Sequence, residues 1–190
     1  MSRLFWVRHG PTHAKTLVGW SDLPADLTDT ARLKRLSAHL PADALVVSSD
    51  LIRASATADA ILGSRTRLPH DPALREIHFG DWELQYYATI PDQSHLRQFW
   101  DQPGDITAPN GESWNSVSAR VSAAIARLHA SHPNRDIIAV AHFGVILTQV
   151  QRALGTDAYT TLSHKIDNLS VTELHTTETG WQAKQINHCP

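Results

Sequence analysis

The chain has 190 residues, 42% of them hydrophobic and 19% charged, with 17 Lys and Arg against 19 Asp and Glu for a formal net charge of -2. That length and balance fit one soluble globular domain of ordinary size with a real core. The lack of any Lys/Arg run speaks against a nucleic-acid partner, and no stretch approaches the ~20 apolar residues a membrane span requires.

Strand-like and helix-like segments alternate along the chain. Met1-Ser2-Arg3 leads directly into an apolar run, so no signal peptide is expected there. Leu4 to Val7 is short, apolar and bounded by charge, which predicts a buried strand ending at Arg8-His9-Gly10. Thr28 is a candidate N-cap for a helix carrying Leu33, Leu36 and Leu40 on one face and closed by Pro41. Leu45-Val46-Val47 predicts a second buried strand. Ser48-Ser49-Asp50 stops it and offers caps to a helix running through Arg53 to about Ile61. The stretch 83–113, with Pro91, Pro103, Gly104, Pro109 and Gly111 among Tyr86, Tyr87, Phe99 and Trp100, is the least regular. It is expected to form a lid or specificity region inserted into a single domain of residues 1–190.

Ser113 to Ser131 places Val117, Val121, Ile125 and Leu128 at helical spacing. Ile137 to Val140 predicts a third buried strand, leading through Ala141-His142-Phe143-Gly144 into an apolar helix that Gly155 ends. Val171 to Leu174 and Trp181 to Ile186 predict late strands. Continuous apolar strands separated by helices imply an α/β fold whose mainly parallel sheet is covered on both faces. Ligands of such sheets bind beyond the carboxyl ends of the strands, where Arg8-His9 and His142 fall.

A cation beside an imidazole at a strand end is suited to holding a phosphate and attacking it. Arg8 and Arg53 can each present a planar fork to phosphate oxygens. Neutral His9 can attack phosphorus through one ring nitrogen if the other donates to a backbone carbonyl. His142 can donate to an equatorial oxygen, and Thr12 adds a hydroxyl. Glu76 and Glu83 are the candidates for the acid that protonates the leaving oxygen. Taken singly, each of these residues has an ordinary structural reading; their order and context make them a set. The 12 histidines show no His-Glu-x-x-His or comparable ligand spacing, so no metal and no cofactor are expected. The single cysteine, Cys189, forms no internal disulfide, which suggests a reducing, cytoplasmic setting.

Leu4 to Thr12, Val47 to Ala54 followed by Thr57-Ala58, Leu74 to Glu83 and Val140 to Ile146 together resemble the four motifs of the histidine phosphatase (phosphoglycerate mutase-like) superfamily, across essentially the whole chain. The resemblance implies a three-layer α/β/α sandwich and metal-independent catalysis. It makes His9 the phosphorylated nucleophile, Arg8, Arg53 and His142 phosphoryl-binding groups, and Glu76 the general acid/base. Gly80 to Leu84 and Pro109 to Ser113, with tryptophan-containing sequence between, look most like alpha-ribazole phosphatases, which remove a 5′-phosphate from a nucleoside-like precursor of cobalamin. Tyr86, Tyr87 or Trp100 could stack on its flat base.

The chain departs from the family pattern at several positions. Lys15 stands where asparagine is common, and Phe143 where glycine usually follows the second histidine; both are expected to touch substrate. Leu84 replaces a common glycine, and Pro11 a common glutamate. A phosphatase or mutase of sugar or glycerate phosphates and an inactive phospholigand-binding module are the competing readings, and a homodimer is left open.

Overall fold

The computed structural model describes residues 2–178 and 180–190. Six strands form one sheet: β1 (Arg3–Arg8), β2 (Leu45–Ser48), β3 (Thr66–Arg67), β4 (Ile137–Ala141), β5 (Val171–Thr177) and β6 (Gly180–His188), in the order β3-β2-β4-β1-β5-β6. The first four in that order run parallel, whereas β5 and β6 are antiparallel to their neighbours. Successive side chains of a strand point to opposite faces. Leu4 and Trp6 therefore enter one core with Ile137 and Ala139, and Phe5 and Val7 enter the other with Ile138 and Val140. The fold is the α/β, mainly parallel arrangement read from the sequence.

The helices are α1 (Thr30–His39), α2 (Ile52–Ala60), α3 (Gln93–Asp101), α4 (Trp114–Ser131), α5 (Phe143–Leu154) and α6 (Ala158–Thr161). The α1 helix is capped by Asp29, whose carboxylate accepts from the Arg32 amide, and not by Thr28, whose hydroxyl is used on Asp26. The α2 helix has no side-chain cap of its own: Asp22, thirty residues upstream, accepts from the Ile52 amide. Ser113 caps α4 in a reciprocal pair with Ser116, and Gly155 ends α5 in the left-handed conformation.

The 83–113 segment holds more order than its prolines suggest. It contains α3, capped by Asp92, and buries Ile90, Leu96 and Phe99 in the core beside Phe79 and Trp82. Only part of it faces the cleft described next.

Candidate active site

The register of the sheet brings the two histidines together. Arg8 pairs with Ala141 across parallel β1 and β4, so residues 9 and 142 leave the sheet side by side. Their rings lie 5.0 Å apart, centroid to centroid. On the other side of β4, Ser48 pairs with Val140, and the next residue, Ser49, comes within 2.7 Å of His142 Nε2. The α2 helix then carries Arg53 back toward the same point.

A cleft of about 220 Å³ opens over this junction, lined by Arg8, His9, Thr12, Arg53, Glu76 and Phe143, with Leu17, Val18, Phe79 and Trp100 among its remaining walls. His142 is fully buried behind His9. Lys15 is exposed and does not line the cleft, although both its neighbours do. Tyr86 and Tyr87 are likewise exposed and outside the lining, which leaves Trp100 as the wall aromatic from the 83–113 segment. A larger apolar groove of about 620 Å³, around Leu27, Leu33, Ala60 and Gly63, shares no residue with the cleft and offers no ionisable side chain except Lys34.

His9 Nδ1 lies 2.6 Å from the Gly10 carbonyl oxygen. A carbonyl only accepts, so Nδ1 carries the proton and Nε2 keeps its lone pair. Burial, the Arg53 guanidinium and, less strongly, Arg8 push the His9 pKa down to about 3, against the contrary pull of the Gly10 hydrogen bond. The imidazole is therefore neutral at ordinary pH. Burial first, then His9 and the guanidinium groups of Arg53, Arg120 and Arg8, hold His142 well below its usual value.

Backbone carbonyls hold both guanidinium groups, two for Arg53 and one for Arg8. Arg53, 1% exposed, donates to Ser21 O at 2.8 Å and Gly19 O at 2.5 Å. Arg8 donates to Ile166 O at 2.6 Å, and its guanidinium carbon sits 5.4 Å from the centre of the Phe143 ring, a cation–π contact. Phe143 thus packs on Arg8 while lining the cleft. Thr57 ties the first motif to the second, accepting from the Gly10 amide and donating to the Arg53 carbonyl.

The Glu76 carboxylate accepts from the Gly144 amide at 3.1 Å, at the start of α5. A Cβ on Gly144 would come 2.6 Å from the Glu76 carboxylate, so only glycine permits this approach. Glu83 does different work. It accepts from the amides of Gly19, Trp20, Ser21 and Phe79 and from the Ser21 hydroxyl. Burial would raise its pKa, but the Ser21 hydroxyl and the amides outweigh that and hold it low. It anchors the loop that clamps Arg53 and does not line the cleft.

Several supporting residues escaped the sequence reading. Arg120 donates to the carbonyls of Ala73, Arg75 and Glu76 and pairs with Glu112, which accepts from the His78 amide. The Trp20 indole also donates to the Glu76 carbonyl. Asn168 donates to the His9 carbonyl. Glu112 falls inside the Pro109 to Ser113 stretch singled out in the sequence; Arg120 and Asn168 carried no signal. Among the described residues, no group of three or more His, Cys, Asp or Glu side chains is placed to hold a metal ion, and no helix is long and apolar enough to cross a membrane.

The family profile described as "Histidine phosphatase superfamily (branch 1)" matches residues 4–188. The chain belongs to the histidine phosphatase superfamily. It is 32% identical over 161 residues to the adenosylcobalamin/alpha-ribazole phosphatase of Salmonella typhimurium, covering 80% of this chain and 79% of that one. It is 37% identical over 163 residues to the glucosyl-3-phosphoglycerate phosphatase of Mycobacterium tuberculosis, covering 76% and 71%. The solved structure of Bacillus stearothermophilus YhfR superposes with a TM-score of 0.91 at 26% identity, covering 100% of this chain and 98% of that one. As a histidine phosphatase, the protein is a hydrolase of phosphomonoesters.

Proposed function

We propose that this phosphatase hydrolyses alpha-ribazole 5′-phosphate or a closely similar nucleoside-like monoester through phospho-His9. The observation that carries the reaction class is the His9 ring: Nδ1–H is spent on Gly10 O, and the ring lines the cleft between Arg8 and Arg53. The His9 Nε2 lone pair attacks phosphorus, forming a P–N bond as the ester P–O bond breaks. Glu76, as the carboxylic acid, gives its proton to the departing oxygen. As the carboxylate, it then takes a proton from water, which attacks phosphorus and breaks the P–N bond. Inorganic phosphate leaves and His9 is neutral again. The two clamped guanidinium groups stabilise charge on the transferring phosphoryl group without reorganising, with His142 as a further donor.

The substrate reading rests on the Salmonella relative and on the cleft walls. Beyond Arg8 and Arg53 the lining carries no cation, and Leu17, Val18, Phe79, Trp100 and Phe143 form an apolar surface suited to an uncharged, flat leaving group. The second reading, a sugar- or glycerate-phosphate phosphatase, is favoured by the identity to the mycobacterial enzyme. A glycerate carboxylate would need a cation, and Lys15 at the exposed rim is the available one. The single cysteine is consistent with a cytoplasmic enzyme, and sedimentation of the purified protein tests for a homodimer.

Rapid acid quench with radiolabelled substrate should trap label on His9, and His9→Ala should be folded and inactive. Undiminished turnover in that variant overturns the mechanism. In a panel of alpha-ribazole 5′-phosphate, 3-phosphoglycerate and an aryl phosphate, the first should show the highest kcat/KM. Comparable slow turnover of all three would sink the substrate assignment.

A further inference from the structure

The buried His142 side chain has one nitrogen satisfied and one not. Nε2 lies 2.7 Å from the Ser49 hydroxyl oxygen, whereas Nδ1 has no hydrogen-bond partner among the described residues. A neutral imidazole carries a single N–H, and the geometry decides where it sits. Ser49 Oγ also accepts from the Leu51 amide at 3.4 Å, and Ser49 is fully buried. If Nε2 held the proton, two donors would converge on Ser49 Oγ and the serine's own proton would have no acceptor. Nδ1 would then be a bare lone pair, repelling any phosphate oxygen brought close. If the serine donates to Nε2, every group around the hydroxyl is matched and Nδ1 becomes an unspent N–H.

We propose that Ser49 is a positioning residue that fixes His142 as its Nδ1–H tautomer, turning a buried neutral histidine into a hydrogen-bond donor for the phosphoryl group. Serine at this position therefore acts through His142, to which its hydroxyl is bonded. The inference rests on the phosphatase reading of the cleft but concerns a residue outside its lining. It also gives the polar run Ser48-Ser49-Asp50 a meaning other than helix capping. Ser48, the neighbouring buried serine, donates to the Ser49 carbonyl, and no hydrogen bond links it to His142 among the described residues.

Nitrogen-15 NMR of the resting protein, with His142 assigned through His142→Gln, reads the tautomer without turnover. Wild type should show a protonated Nδ1 and an unprotonated, hydrogen-bonded Nε2. In Ser49→Ala the tautomers should mix or invert, with kcat falling about 10²-fold, the scale of losing one preorganised donor. Ser48→Ala, which loses a comparable buried hydroxyl, should leave tautomer and kcat within a few-fold of wild type, and Ser49→Thr should restore the Nδ1–H form. An Nε2–H tautomer in wild type overturns the proposal, even if Ser49→Ala does not fold. So does a folded Ser49→Ala that keeps both tautomer and kcat. Failure to trap phosphate on His9 would overturn the phosphatase mechanism instead, and the two failures are read by different measurements.

Discussion

Arg53 illustrates how a single residue is prepared for its work. A guanidinium on a flexible stem would lose entropy each time it closed on an anion, but here two carbonyls hold it in place beforehand. In the proposed mechanism its fork geometry matters as much as its charge, because one group would satisfy Gly19 O, Ser21 O and a phosphate together. Arg53→Ala should lower kcat/KM by about 10²- to 10³-fold, the loss typical of one preorganised donor at a charged transition state. Arg53→Lys should recover little, since an ammonium reproduces the charge and not the fork. A loss below tenfold for alanine, measured by steady-state kinetics, would mean Arg53 does not meet the phosphoryl group.

At the scale of elements, the site depends on loops pinned to one another more than on any one loop's conformation. The loop around Gly19 is folded about the Glu83 carboxylate, and its carbonyls in turn hold Arg53 from α2. Gly19 itself leaves no room for a Cβ against Ile77 O and Glu83. Glu83→Gln removes the charge and half the acceptors, so kcat and thermal stability should fall together. The sign with pH follows from the depressed carboxyl. Its stabilisation is complete above the unfolded value near 4.5 and is lost as pH falls through the lower folded value. The Tm difference between wild type and Glu83→Gln should therefore be largest at neutral pH and shrink in acid. A difference that stays constant from pH 7 to pH 3 would rule out this role.

Across the whole molecule, two buried histidines just beyond the carboxyl ends of the central strands β1 and β4, both with lowered pKa, make the fold acid-sensitive before its carboxylates titrate. The folded His9 pKa is about 3 against 6.5 when exposed, and His142 is shifted in the same direction. Between about pH 6.5 and pH 3 the unfolded chain binds protons that the folded chain refuses, so stability falls as pH falls. The slope is up to ~1.4 kcal/mol per pH unit for each histidine. Urea unfolding of His9→Gln between pH 7.5 and pH 4.5 should show a shallower pH dependence than wild type. Identical slopes would contradict a neutral buried His9.

The sequence by itself determined five of the six described strands, most helices and the four motifs, because apolar runs such as Leu4–Val7 and Ile137–Val140 favour burial; the two-residue β3, Thr66–Arg67, carries no such run. It left Arg8, His9, Arg53, Glu76 and His142 legible as a set. Other features were decided only when distant segments docked. Asp22 took the start of α2, Glu83 became an anchor, and Lys15 stayed at the rim. The α3 helix was hidden because its buried stripe, Leu96 and Phe99, is short and flanked by prolines. Ser49, Arg120 and Asn168 reach partners 44 or more residues away, His142, the Glu76 carbonyl and the His9 carbonyl, through hydrogen bonds that leave no periodic trace. Periodicity records which side of an element is buried; which polar groups meet there depends on register, and only the folded sheet sets that.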